Sequence, residues 1–155
     1  MRNKNWILVL LLVSITVCAC HQAKERNQIR LQPLSPYNFV FKVSDSVKNR
    51  NEYYFISDAG PADYNLASDL LPSLKLISKD DTFKVQSVYV YRATTILNKD
   101  YQGNRDDLKG NHDDDLYVYA RWTNGKMDIF YILKNGKAIY DGLKRERIEN
   151  PFEFD

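Results

Sequence analysis

The residues able to do chemistry are concentrated in one stretch, Lys99 to Asp114 (KDYQGNRDDLKGNHDD), which is dense in Asp, Asn and Gly. Asp106, Asp107, Asp113, Asp114 and the following Asp115 offer hard oxygen ligands of the kind calcium takes, and His112 could join them around a transition metal. The alternation of a calcium loop, D-x-[DN]-x-[DN]-G closed by Glu, is missing. These five are therefore weak metal candidates, and the stretch reads first as a long, solvated acidic loop. No metal and no cofactor is assigned. His112 is the only histidine after residue 36, so any Ser-His-Asp arrangement would have to use it, and no G-x-S-x-G elbow precedes it. Carboxylate pairs can act alone, as in glycosidases, but no pair stands out among the 20 Asp+Glu. The expectation is a protein that is not an enzyme.

Both cysteines lie at the end of the segment MRNKNWILVLLLVSITVCAC, where Arg2 and Lys4 precede an apolar run beginning at Trp6. That is the layout of an export signal. A bilayer-spanning helix needs about 20 apolar residues, and the fourteen from Trp6 to Ala19 include Ser14 and Thr16. The closing Val17-Cys18-Ala19-Cys20 resembles the lipobox of bacterial lipoproteins, in which a small residue precedes the cysteine that becomes lipidated. The resemblance covers this segment only. It implies a diacylglyceryl group on the thiol of Cys20 and cleavage just before it; Cys18, preceded by the branched Val17, does not fit. A single acyl chain binds membranes marginally and two or three bind stably, which suits the anchor. The alternatives are a secreted protein cut at the same bond and an uncleaved membrane anchor. In enterobacterial lipoproteins an Asp after the lipidated cysteine favours the inner membrane. His21 stands there, so the resemblance leans toward the periplasmic face of the outer membrane in a two-membrane cell.

Cleavage changes the charge balance. The chain has 22 Lys+Arg and 20 Asp+Glu; loss of Arg2 and Lys4 leaves twenty of each. A chain without net basicity is not a nucleic-acid binder by composition, nor is it globally attracted to anionic lipid. Lipidation of Cys20 leaves no free thiol for catalysis.

Residues 20–36 read as the lipidated cysteine and a polar tether ending in Pro33 and Pro36, able to reach about 50 Å when fully extended. Residues 37–155 hold every aromatic residue except Trp6 and read as a single domain. Tyr37 to Val43 and Glu52 to Ser57 are β-rich, with SDSVKNRN between them as a long turn. Leu66, Leu70 and Leu74 at spacing four, beside Ala67 and Leu71, predict one amphipathic helix, ended or kinked by Pro72. Lys84 to Arg92 is a further strand. Asn124-Gly125 and Asn135-Gly136 suit type I′ hairpin turns. Together they predict a three-strand meander with Trp122 facing Met127, Ala120 facing Ile129, and Val118 facing Tyr131. On the other face Arg121 lies across from Asp128, and Tyr119 from Phe130. The tail ENPFEFD reads as an edge segment or surface wrap. The fold class expected is α+β: a mainly antiparallel sheet of about five to six strands with one helix.

Tyr117, Tyr119 and Phe130 fall on the second face of that meander. They are either covered core or an exposed aromatic surface for protein, peptide or glycan; they are carried forward as the candidate binding surface. The function expected is a lipid-anchored envelope protein with a non-catalytic binding or structural role. Its partners are the membrane, through Cys20, and an envelope protein, glycan or toxin. Alternatives are an inhibitor or immunity-type lipoprotein neutralising a toxin or hydrolase, and a small envelope hydrolase.

Overall fold

The computed structural model describes residues 29–34, 39–44, 47–57, 60, 64–77 and 82–153. The signal segment and Cys20 lie outside these residues. The elements in order are β1 (Gln32–Pro33), β2 (Phe39–Ser44), β3 (Val47–Ile56), α1 (Tyr64–Ile77), β4 (Val85–Arg92), α2 (Arg105–Asn111), a 3-10 turn at Asp113–Asp115, β5 (Leu116–Thr123), β6 (Lys126–Lys134), β7 (Lys137–Asp141) and β8 (Glu146–Glu153).

All eight strands form one sheet in the order β1-β3-β4-β5-β6-β7-β8, with β2 also paired to β3. The α+β class holds, with more strands than composition and turns suggested and a second, short helix. The only parallel pair among the described strands is β3 with β4. A parallel pair needs a crossover, and α1 supplies it. β2 and β3 are antiparallel, with Ser44 opposite Val47. The stretch read as a long turn is therefore mostly strand: Val47 to Asn51 belong to β3.

Pro72 does not end α1, which runs on to Ile77. A proline in a helix interior costs about 3 kcal/mol. Leu66, Leu70 and Leu74 are all buried against the sheet, at roughly 1.5–3 kcal/mol each, and Pro72 sits on the exposed side. Burial wins. The C-terminal end of α1 is tied down by Gln86, whose Nε2 donates to Glu52 Oε2 at 2.8 Å and to the Ile77 carbonyl at 3.4 Å.

Residues 29–34, inside the span read as tether, belong to the sheet layer. Gln32 and Pro33 pair with Phe55 and Tyr54, Leu34 is buried, and Ser73 Oγ donates to the Ile29 carbonyl at 2.7 Å. Ile29, Leu31 and Leu34 are the apolar residues that a reading by overall polarity passes over.

Both Asn-Gly turns form as expected. Asn124 and Gly125 have φ of 50° and 74°, and Asn135 and Gly136 have 51° and 71°. The register beyond the first turn differs. Trp122 pairs with Met127, but Arg121 then pairs with Ile129 and Ala120 with Phe130. Asp128 is the extra residue of a bulge; its carboxylate accepts from Arg121 Nη2 at 2.8 Å and Thr123 Oγ1 at 3.0 Å. The slip sends Phe130 and Ile132 to the α1 side, and Ile129, Tyr131 and Leu133 to the other. Register is weakly specified by pattern when both faces of a strand are apolar, and both faces are buried here.

Two cores result. One lies under α1 and is built on Val88, Val90, Val118, Ala120, Trp122 and Phe130. The other lies under the β4–β5 connection, where Leu97, Tyr101 and Leu108 cover Phe55, Tyr91, Leu116 and Leu133. The stretch read as a solvated loop is thus the second layer of the domain. Asn104 caps α2 by accepting from the Asp107 amide at 2.9 Å, and Leu108 is 0% exposed.

Candidate functional site

The register of the central strands places four tyrosines in one row: Tyr53 opposite Tyr89, Tyr89 opposite Tyr119, and Tyr119 opposite Tyr131. Side chains alternate across a strand, so residues in register share a face; this is the face that the β4–β5 connection covers in part. Tyr53 and Tyr89 stack with centroids 5.0 Å apart and planes 11° apart, and Tyr89 lies 5.1 Å from Tyr119 at 53°. Tyr53 and Tyr119 are buried, while Tyr89 and Tyr131 are half-buried. Cross-strand aromatic pairs of this kind contribute roughly 0.5–1.5 kcal/mol beyond their area.

The hydroxyls are bonded along the next row. Asn51 Nδ2 donates to Tyr53 Oη at 3.5 Å, and Ser87 Oγ lies 3.2 Å from Tyr119 Oη. Burial pushes the phenols of Tyr53 and Tyr89 up, the latter with a further contribution from Tyr119. Tyr53 and Tyr89 stay protonated at neutral pH, so these two offer ring faces and neutral hydroxyls rather than phenolate bases.

At its far end the row opens into a groove. Tyr131 pairs with Asp141 and packs edge-on against Phe152, 5.5 Å away at 83°. The groove exists because β8 departs from β7: Arg147 opposes Tyr140 and Phe152 opposes Ala138, so Ile148 to Pro151 stand across from Ile139 alone. Pro151 lacks an amide to donate, which suits an irregular edge strand. The resulting groove has a volume of about 490 Å³. Its floor is Tyr131 and Phe152; its rim carries Arg147, Glu149 and Asn150, with Lys144 bridging Asp141 and Glu146 at 3.8 and 3.7 Å. Asp141 also accepts from the Leu143 and Lys144 amides, at 2.9 and 3.0 Å, and so shapes the turn.

Of the three residues carried forward as a binding surface, none is exposed. Tyr117 and Phe130 are 2% and 1% exposed in the core under α1, and Tyr119 is 6% exposed on the opposite side. Tyr117 donates to the Gly60 carbonyl, and the Arg92 guanidinium lies over its ring at 4.6 Å. Covered core is the correct reading for all three. Tyr119 is parted from Tyr117 by the bulge between the Val90–Val118 and Tyr91–Leu116 pairs, and from Phe130 by the bulge at Asp128.

The aspartates are spread along α2 and the 3-10 turn, and no group of three or more His, Cys, Asp or Glu among the described residues could hold a metal. Asp107 accepts from Tyr101 and from Asn111, the latter at 2.7 Å; these bonds hold its carboxyl below the usual range. His112 Nδ1 lies 3.0 Å from Asp115 Oδ2, and its ring meets Tyr101 edge-on. These contacts make a corner of the second layer. Arg121 and Asp128 form an ion pair, although Arg121 stands opposite Ile129 and not opposite Asp128.

Among the described residues no helix is long and apolar enough to cross a membrane. Tyr53, Tyr89, Tyr131 and Phe152 were not singled out by pattern, since only strand pairing assembles them. The chain matches no protein-family model, no curated protein and no solved structure, so its functional reading rests on geometry.

Proposed function

We propose that this chain is a lipid-anchored cell-envelope protein, held through Cys20, that binds a partner without catalysis. The observation that carries the binding role is the tyrosine row ending in the Tyr131–Phe152 groove. Ring faces stack on C–H surfaces, and a rim carrying both charges and an amide supplies donors and acceptors. A neutral, hydroxyl-rich ligand suits that combination better than an ion of either sign, and a glycan of the envelope is the ligand class we favour. His21 after the anchoring cysteine supports the periplasmic face of the outer membrane.

Titration of the isotopically labelled full chain with N-acetylglucosamine oligomers, followed by nuclear magnetic resonance, tests the binding role. The expected result is saturable shifts confined to Tyr131 and residues 144–152, abolished in Phe152→Ala. Absence of shifts at saturating sugar, or shifts that persist in that variant, rejects the groove. The mass of the N-terminal peptide from the membrane fraction tests the anchor: an unmodified Cys20 rejects it.

A further inference from the structure

The opposite end of the sheet carries a different feature. Lys42 lies directly opposite Lys48 across β2 and β3. The Lys84 amide donates to the Lys48 carbonyl at 2.9 Å, and the Asn124 amide to the Lys84 carbonyl at 2.8 Å. Thr123, next to Asn124, pairs with Lys126. Lys42, Lys48 and Lys84 thus share one row and one face at this end of the sheet, and Lys126, in register with Thr123 one position further along, lies on the other face of the same end. With strands about 4.8 Å apart, the group spans about 19 Å from β2 to β6.

All four lysines are exposed, and none forms an ion pair among the described residues. Asp45, Asp80 and Asp81, near in sequence, lie outside the described residues, so the charge argument rests on the lysines themselves. Like charges directly opposite in a sheet are destabilising. Protection of a sheet edge accounts for Lys42 on β2, but Lys48 and Lys126 sit on interior strands and Lys84 directly precedes one. Beside them, β2 exposes Val40 and Val43, at 52% and 62%. Basic and apolar groups side by side fit an interface of anionic headgroups over acyl chains.

The tether joins the sheet through β1, opposite Tyr54 and Phe55, which stand six to seven residues along β3 from Lys48, or roughly 20–23 Å. The chain enters at Ile29, held by Ser73 and flanked by Leu76 and Ile77 of α1. Ile77 is bonded to Gln86, two residues beyond Lys84. Leu76 is 57% exposed. Eight residues lie between Cys20 and Ile29, nine steps along the chain, so the domain can stand at most about 30 Å from the lipidated cysteine.

We infer that the sheet end carrying Lys42, Lys48, Lys84 and Lys126 docks on anionic phospholipid headgroups of the membrane that holds the anchor. This rests on the anchor reading for its proximity to lipid. Each lysine at such a surface strengthens binding about five-fold, and four together up to several hundredfold.

The test reconstitutes the full mature protein into phosphatidylcholine vesicles with and without phosphatidylglycerol and maps lysine acetylation by mass spectrometry. The expected result is at least five-fold protection of the four lysines on anionic vesicles, removed by high salt, with Lys134 and Lys137 at the far turn unchanged. The triple variant Lys48→Glu/Lys84→Glu/Lys126→Glu, and its Gln counterpart should the first fail to fold, loses the protection of Lys42. Equal acetylation on both vesicles overturns the inference. Protection by soluble polyphosphate without protection by vesicles also overturns it, in favour of an anionic polymer. The same digest reports the mass of the Cys20 peptide. If that cysteine is unmodified, the anchor reading fails separately, and flotation of the protein with preformed anionic vesicles decides the lysine group: co-flotation lost in the triple variant supports it, and no co-flotation overturns it.

Discussion

Raising the pH above about 10 should unfold the domain through its buried phenols. Burial pushes Tyr54 up to about 12, with Glu52 adding to it, and raises Tyr89 and Tyr91 by the same cause, reinforced by neighbouring phenols. A tyrosine in the unfolded chain ionises near pH 10. Because the folded values lie higher, the stability these groups contribute is fully present below about pH 10 and is lost as the pH rises toward the folded values. At about pH 11 each phenol held protonated costs about 1.4 kcal/mol relative to the unfolded chain. Three would cost about 4 kcal/mol, and solvent screening at the half-buried Tyr54 and Tyr89 reduces that to about 3 kcal/mol. The same arithmetic gives a loss of about 6 kcal/mol by pH 12, so a domain at the low end of the usual stability of about 5–15 kcal/mol reaches its unfolding midpoint between about pH 11 and 12. Phenolate absorbance and near-ultraviolet circular dichroism, recorded together against pH, provide the assay. Tyr54, Tyr89 and Tyr91 should ionise in one cooperative step with loss of tertiary signal. A single smooth titration of all phenols near pH 10, with the tertiary signal intact, would refute the burial argument.

Two further predictions concern the layers that position the tyrosine row. Leu108→Ala should cost about 2–4 kcal/mol in a denaturant titration, because the side chain is wholly buried under the β4–β5 connection; a change within about 0.5 kcal/mol would restore the reading of that stretch as a solvated loop. For Arg121 and Asp128, both more than a third exposed, a double-mutant cycle should give a coupling of about 1 kcal/mol or less. Burial alone would raise the Asp128 carboxyl, but the hydrogen bonds from Arg121 and Thr123 outweigh it and lower the value. The coupling should therefore be present above about pH 4 and vanish as the pH falls through the lowered value; persistence at lower pH would contradict the geometry.

Local chemistry was legible wherever it acts over a few residues. Asn-Gly at 124–125 and 135–136 dictated two hairpins, because Asn and Gly tolerate positive φ. The spacing of Leu66, Leu70 and Leu74 dictated α1, and the lipobox resemblance rests on four consecutive residues. The β5–β6 register was not legible: strands apolar on both faces leave the period-two pattern silent, and the extra residue at Asp128 depends on partners on β5. Leu34 and Leu108 read as tether and loop because each is a lone apolar residue among polar ones, and only the layer it covers reveals its burial.

By itself the sequence determined the hairpin turns, the helix and a nearly balanced charge of 22 Lys+Arg against 20 Asp+Glu. The tertiary structure decided where aromatic and charged groups gather. Tyr53, Tyr89, Tyr119 and Tyr131 meet through three strand pairings, one of them parallel and dependent on the α1 crossover. Lys42, Lys48, Lys84 and Lys126 gather at one end of the sheet in a chain whose formal net charge is only +2. Net charge is a sum over the chain and carries no positions, while a surface potential depends on distance; strand register, set by burial on both faces of the sheet, supplies the distances.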